Sequence, residues 1–176
     1  NLHYNMLFID NPVGAGFSYT TTPDGYCTDE DCVARNLYAL LQTFYQLFPD
    51  MQKAPLYVTG ESYAGHYVPA FAYLIHENNQ PGAAAGDLPV PLAGISIGDG
   101  WVDPVIQMTG YADQLYNIGM ADNIEREAIR GYQNRTIAAI NSGDMLGAFE
   151  VWDEMLNGDI WKYPTYFHNI TGSDDY

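Results

Sequence analysis

Apolar and polar positions alternate in several registers along the chain. Met6-Leu7-Phe8-Ile9 is an unbroken apolar run closed by Asp10-Asn11-Pro12. A run of that length ending in turn residues predicts a buried strand. Gly14 and Gly16 follow, where glycine permits backbone angles that other residues resist. Val33, Leu37, Leu40, Phe44 and Leu47 then recur at helical spacing. They predict a helix from Asp29 that Pro49 stops. Thr28 with Asp31 three residues on resembles a capping box, with Asp in place of the usual Glu or Gln. Leu56-Tyr57-Val58-Thr59 predicts a second strand, running into Gly60. A helical stretch follows Ser62 and fades at Asn78-Asn79. Residues 80–91 hold three Pro and two Gly around an Ala run, which predicts a surface loop. A third strand is expected over 92–97, and Gly98-Asp99-Gly100 reads as a turn.

Beyond Asp103-Pro104 the strand signal stops. Helices are expected over 105–118, 124–140 and 145–156, and Met145, Phe149, Trp152 and Leu156 form a stripe expected to face a core. Strand–helix–strand–helix–strand followed by helices predicts an α/β fold, a parallel sheet with crossover helices over residues 1–104 and a helical segment over 105–176. No internal repeat is present. Three strands are few for a parallel sheet, which needs cover on both faces and neighbours at its edges. The chain therefore reads as a piece of a larger α/β domain, a reading strengthened by a start without Met that leads straight into a strand.

Composition narrows the function. With 47% hydrophobic and 14% aromatic residues in 176, the chain can bury a core, which excludes global disorder. Its 22 acidic and 6 basic side chains give a net charge of −16, which argues against a nucleic-acid surface and a polybasic membrane anchor. No apolar run reaches the roughly 18 residues of a membrane helix, and the first residues lack a signal-peptide pattern. Cys27 and Cys32 have no His or further Cys nearby in sequence, so no metal site is expected. They form either a short-loop disulfide or two free thiols. Asn134-Arg135-Thr136 and Asn169-Ile170-Thr171 match the N-glycosylation triplet. Together with the cysteines they point to the secretory pathway.

The segment 56–65, Leu-Tyr-Val-Thr-Gly-Glu-Ser-Tyr-Ala-Gly, is a strand running directly into a helix with Ser62 at the bend. In that context Gly-x-Ser-x-Gly forms a nucleophile elbow. Small residues are needed two positions either side of the serine because neighbouring backbone passes close. Gly60 and Ala64 occupy them, with Gly65 following. A serine there gains from the positive end of the helix and from free N–H groups that can hold an oxyanion, including that of Tyr63. The simpler reading is that Ser62 caps the helix.

The wider wording carries a resemblance. Gly60 to Pro69, Gly-Glu-Ser-Tyr-Ala-Gly-His-Tyr-Val-Pro, resembles the signature of the serine carboxypeptidase family, an α/β-hydrolase fold. Asn5 to Tyr19 and Gly94 to Pro104 resemble two further blocks of that family, in the same order. The helical tail around residues 166–172 is most similar to the vitellogenic-like animal branch. The resemblance spans essentially the whole chain, while the chain spans less than half of a family member. It implies that Ser62 is the acyl-forming nucleophile, that the Tyr63 N–H lies in the oxyanion hole, and that Glu61 binds the free C-terminal carboxylate of a peptide substrate. Two ionised carboxylates repel in a dry site, so that last role requires a shared proton. No cofactor is implied. The compartment implied is lysosomal or extracellular, and nothing in the sequence sets the oligomeric state.

A serine nucleophile needs a base, and the base needs an orienting acid. His66, His76 and His168 follow Ser62. His66 lies four residues on along the same helix, a packing position, whereas the base of such folds comes from a loop facing the serine. His76 lies further along that helix, and His168 sits beside a glycan triplet. Asp99 is the local candidate for the acid, but the family usually holds Asn there and places its Asp farther downstream. By the resemblance, the Gly-Gly-Pro-Gly oxyanion segment precedes residue 1, and the catalytic Asp and His follow residue 176. The isolated chain is therefore expected to be inactive. The alternatives are a related acyltransferase or esterase, and a non-catalytic secreted homologue.

Overall fold

A computed structural model describes residues 2–82 and 86–174. The chain forms two compact units that divide between Trp101 and Val102, where the sequence suggested a division after residue 104.

In the first unit the order is α1 (Glu30–Leu47), β1 (Leu56–Glu61), α2 (Ala64–Asn78) and β2 (Leu92–Gly98), with short 3-10 turns at Pro23–Gly25 and Met51–Lys53. β1 and β2 pair in parallel with α2 as the crossover; Gly60 stands opposite Ile97 and Glu61 opposite Gly98. The expected first strand is absent. Residues 6–9 form neither strand nor helix and pair with nothing described, and Phe8 is 83% exposed. The apolar run has the composition of an inner strand, yet a strand exists only with a partner to hydrogen-bond, and β1 and β2 pair only with each other. The described sheet therefore has two strands rather than three.

The helix start also differs from expectation. Thr28 does not cap α1. Asp29 does, its carboxylate accepting the Cys32 N–H at 2.7 Å. Asp is as good an N-cap as Thr, and an acid there also suits the positive helix end. Cys27 and Cys32 are joined as a disulfide across this cap. The inner face of α1 packs on α2 through Val33, Leu37, Tyr38, Leu41, Tyr45, Phe71 and Ile75, with Val90 completing the cluster. Val90 is 2% exposed although it lies in the expected surface loop. Two side-chain amides, one of them buried, explain its inward position. Gln42 exchanges hydrogen bonds with both backbone groups of Leu88, at 2.9 and 2.8 Å. Asn79 does the same for Val90, at 2.7 and 3.0 Å. Side chains from two helices thus satisfy a buried loop backbone that no strand serves.

The second unit is helical: α3 (Pro104–Gln107), a 3-10 turn at Met108–Gly110, α4 (Tyr111–Asn117), α5 (Asn123–Ser142), α6 (Met145–Trp152), a π turn at Asp153–Asn157 and α7 (Tyr166–Thr171). The expected single helix over 105–118 is thus broken in two. Asp122 caps α5 in a reciprocal box with Glu125, and Gly143 ends it in the left-handed conformation. Asp113 on α4 accepts hydrogen bonds from Arg126 and Arg130 on α5, at 2.8 Å each, which holds its carboxyl below the usual range. The expected stripe of α6 does not face inward as a whole. Met145 is 60% exposed and Phe149 38%, while Ala148, Met155 and Leu156 are buried. The π turn widens the last turn and shifts the phase of the buried line. Asp153, fully buried, accepts three backbone N–H bonds from Asp159, Ile160 and Trp161, at 2.6, 3.1 and 2.7 Å, and so closes the loop before α7.

Candidate functional site

Ser62 joins the end of β1 to the start of α2 with φ 57, the left-handed region that non-glycine residues seldom occupy. Three hydrogen bonds hold it there. Its N–H donates to Gly98 O at 3.0 Å, and its carbonyl accepts from Gly65 N–H and Trp101 N–H, both at 2.9 Å. Asp99, directly after β2, also has positive φ, at 49. Two non-glycine residues in this conformation thus face each other at the ends of one strand pair. Each such residue costs about 1–3 kcal/mol and persists only where its surroundings over-determine it.

The small residues are explained by contact. A Cβ on Gly60 would stand 2.4 Å from Ala64 Cβ, and one on Gly65 would stand 2.5 Å from the carbonyl oxygen of Trp101. The first residue lets the strand end turn back over the helix; the second lets the helix press against the segment leaving β2.

The Ser62 hydroxyl is exposed and caps nothing. Tyr63 holds the N-cap position of α2, and its side chain makes no cap bond. The Tyr63 N–H precedes the first intrahelical bonds and donates to no described acceptor. An exposed hydroxyl and a backbone donor with no described acceptor therefore sit at adjacent residues at a helix N-terminus, where negative charge is stabilised. Glu61 is exposed on the last position of β1, on the same turn.

The histidines are not arrayed around the serine. The His66 ring lies 5.0 Å from the Tyr63 ring on one face of α2. His76, in the last turn of α2, is in contact with the Gln80 amide at 3.1 Å. His168, in the second unit, bonds Asp174 at 2.7 Å. None hydrogen-bonds Ser62, and neither does Asp99, among the described residues. The described residues also hold no group of three or more His, Cys, Asp or Glu arranged for a metal ion. Asn134 on α5 and Asn169 on α7 are both exposed.

Two features escaped the sequence pattern. One is the pair of backbone bonds by which Gly98 and Trp101 lock Ser62; nothing local ties residue 62 to residues 98–101. The other is Glu30 on α1, which lines a hollow together with Tyr63 and Tyr67 of α2. Burial raises its pKa, His66 opposes that rise, and Asp29 adds to it. Burial also raises the Tyr63 and Tyr67 hydroxyls, and Glu30 adds to both. The spacing of Tyr63, His66 and Tyr67 along one helix face was legible; the arrival of Glu30 was not.

The comparisons agree on a single family. Its model, described as serine carboxypeptidase, matches residues 1–170. The chain is 44% identical over 176 residues to the probable serine carboxypeptidase CPVL of Dictyostelium discoideum, covering all of this chain and 34% of that protein. It is 45% identical over 172 residues to the protein of the same description in Homo sapiens, covering 98% of this chain and 35% of that one. It is 38% identical to the vitellogenic carboxypeptidase of Aedes aegypti, over 99% of this chain and 35% of that protein. Among solved structures, the prohormone-processing carboxypeptidase Kex1(Δ)p of Saccharomyces cerevisiae superposes with a TM-score of 0.66 at 25% identity, over 83% of this chain and 34% of that chain. The chain thus spans about a third of the length of the curated relatives it matches.

Proposed function

The chain belongs to the serine carboxypeptidase family, with an α/β-hydrolase fold, and from that premise we propose that it carries the nucleophile of an enzyme removing C-terminal residues from peptides. Ser62 Oγ attacks the scissile carbonyl. The oxygen of that carbonyl takes up negative charge, which the Tyr63 N–H stabilises. The leaving residue departs with a proton, and an acyl-enzyme on Ser62 remains for water to hydrolyse. Glu61 hydrogen-bonds the free carboxylate of the substrate, the two groups sharing one proton. The base and its orienting acid come from sequence outside these 176 residues, so the chain alone is inactive. Gly60 and Gly65 give the elbow its shape. No cofactor takes part.

The observation that carries this reading is Ser62 at φ 57 between a parallel strand and a helix, its hydroxyl exposed and committed to no structural bond. A serine serving only as a cap would have extended backbone and a bond to the helix. A full-length polypeptide containing this chain should be modified by a fluorophosphonate at Ser62. Ser62→Ala should lower the hydrolysis of blocked dipeptides at least about 10⁴-fold. Modification at another residue, with Ser62 untouched, overturns the reading. Comparing blocked dipeptides with simple esters separates peptidase from esterase or acyl transfer.

We also propose a secretory-pathway location, lysosomal or extracellular. The disulfide at Cys27–Cys32 and the exposed Asn134 and Asn169 support it. Loss of mass on enzymatic deglycosylation, mapped to those two asparagines, tests their use as glycan acceptors.

A further inference from the structure

Both peptide units that flank the Ser62 Cα are held by one short segment. The Ser62 N–H donates to Gly98 O at 3.0 Å, and the Trp101 N–H donates to Ser62 O at 2.9 Å. The Ser62 carbonyl and the Tyr63 N–H belong to the same planar trans peptide unit, so they point in opposite directions. A bond that fixes the carbonyl therefore fixes the direction of the oxyanion donor proposed above. Gly65 N–H gives that carbonyl a second bond at 2.9 Å, but from within α2 itself. The Trp101 bond is the one that ties the donor to the sheet.

The ladder between β1 and β2 is irregular at this point. Glu61 pairs with Gly98, so an unbroken register would set Ser62 opposite Asp99 alone. In a regular parallel ladder the two bonds of a residue go to the residues on either side of the one it faces. Ser62 bonds Gly98 and Trp101, so Asp99 and Gly100 together stand where one residue belongs. An extra residue of this kind is a bulge, and a left-handed residue at its first position is one way to build it. Asp99 has that conformation, with φ 49. Its side chain is exposed and makes no hydrogen bond or ion pair among the described residues. What this position supplies is its backbone.

We infer that Asp99 is a positioning residue for the acylation step. Its left-handed backbone makes the bulge that sets Gly98 O and Trp101 N–H on Ser62, and through the Ser62 carbonyl it aims the Tyr63 N–H at the oxyanion. This role rests on the peptidase reading. It does not depend on charge. Asp and Asn enter the left-handed region more readily than other side chains, and glycine enters it without penalty. A β-branched residue there is an outlier. Asp99→Val would drive the turn toward extended backbone, draw the Trp101 N–H off the Ser62 carbonyl and leave that peptide unit free to rotate. A catalytic acid at this position would behave differently, since Asn or Gly would then be as damaging as Val.

The test uses full-length enzyme carrying Asp99→Val, Asp99→Asn or Asp99→Gly. The readouts are turnover of a blocked dipeptide and the rate of Ser62 modification by a fluorophosphonate. Loss of one oxyanion donor costs about 10²–10³ in kcat, so a misdirected one should slow Asp99→Val about tenfold or more in both rates. KM should stay within about twofold, because the oxyanion forms only in the transition state. Asp99→Asn and Asp99→Gly should rescue both rates to within about threefold of native. A residue that only supported the fold would lower the unfolding temperature and leave kcat per labelled site unchanged. Native rates in folded Asp99→Val overturn the role. So do Asp99→Asn and Asp99→Gly as slow as Asp99→Val, a result that would make the carboxylate itself the requirement. If Asp99→Val does not fold, Asp99→Ala carries a smaller form of the same penalty and should react about threefold or more slowly than Asp99→Gly. Equal rates for that pair overturn the role. Native enzyme that is not labelled at Ser62 overturns the peptidase reading and this role with it; labelled enzyme whose rates ignore the left-handed preference at position 99 overturns this role alone.

Discussion

Ser62 stands in a conformation that disfavours any side chain, and the neighbours of the bend are chosen for absence of bulk. Glycine adopts φ 57 without the Cβ penalty, so Ser62→Gly should stabilise the full-length protein by about 1 kcal/mol while abolishing activity. A raised unfolding temperature with no turnover is the expected pair of results; a lower temperature would mean that the serine side chain has a structural bond. Gly65→Ala should act in the opposite sense. Its methyl would meet the Trp101 backbone, which cannot swing aside as a side chain can, at an expected cost of about 1–3 kcal/mol. Comparing unfolding midpoints in urea measures it. At Glu61 the argument concerns the complex. If it shares a proton with the substrate carboxylate, Glu61→Gln keeps an uncharged partner and flattens the loss of kcat/KM at higher pH. An unchanged profile would count against that role.

At the scale of elements, several helices have identifiable ends. Asp29, Asp122 and Asp144 accept N–H bonds at the starts of α1, α5 and α6, and Gly143 and Gly172 end α5 and α7 with positive φ. The least regular stretch, the π turn after α6, is organised by one acid. Asp153→Ala would remove the shared acceptor of three part-buried N–H groups, and the loss should be about 3 kcal/mol, because bonds to one charged acceptor are lost together. Hydrogen exchange should show the loop before α7 opening first. Exchange at those amides no faster than in the native protein would show that other contacts hold the loop.

At the scale of the whole molecule, the described sheet is two parallel strands, and both outer edges lie open among the described residues. Tyr57 on β1 is 63% exposed and Ile95 on β2 49%, and Phe8 and Leu47 add further uncovered apolar surface. Open strand edges beside exposed apolar side chains invite association, and the net charge of −16 only partly opposes it. Expressed alone, these 176 residues should aggregate or give a compact state that binds a hydrophobic dye. A soluble monomer with one sharp thermal transition would contradict this.

Local order in the chain was enough to locate the elbow, the two helices that flank β1 and a helix over 124–140 within α5, because those depend on residues a few positions apart. The family wording carried the roles proposed for Ser62, Tyr63 and Glu61. Tertiary structure alone decided the rest. It left residues 6–9 unpaired among the described residues, since an apolar run becomes a strand only beside a partner. It turned Val90 inward through amides supplied by two helices, and it rotated the buried face of α6. It also brought Gly98 and Trp101 onto Ser62, contacts between residues more than thirty positions apart. Spacing along a sequence encodes which residues share a face; which faces meet depends on the closing of loops that no local pattern records.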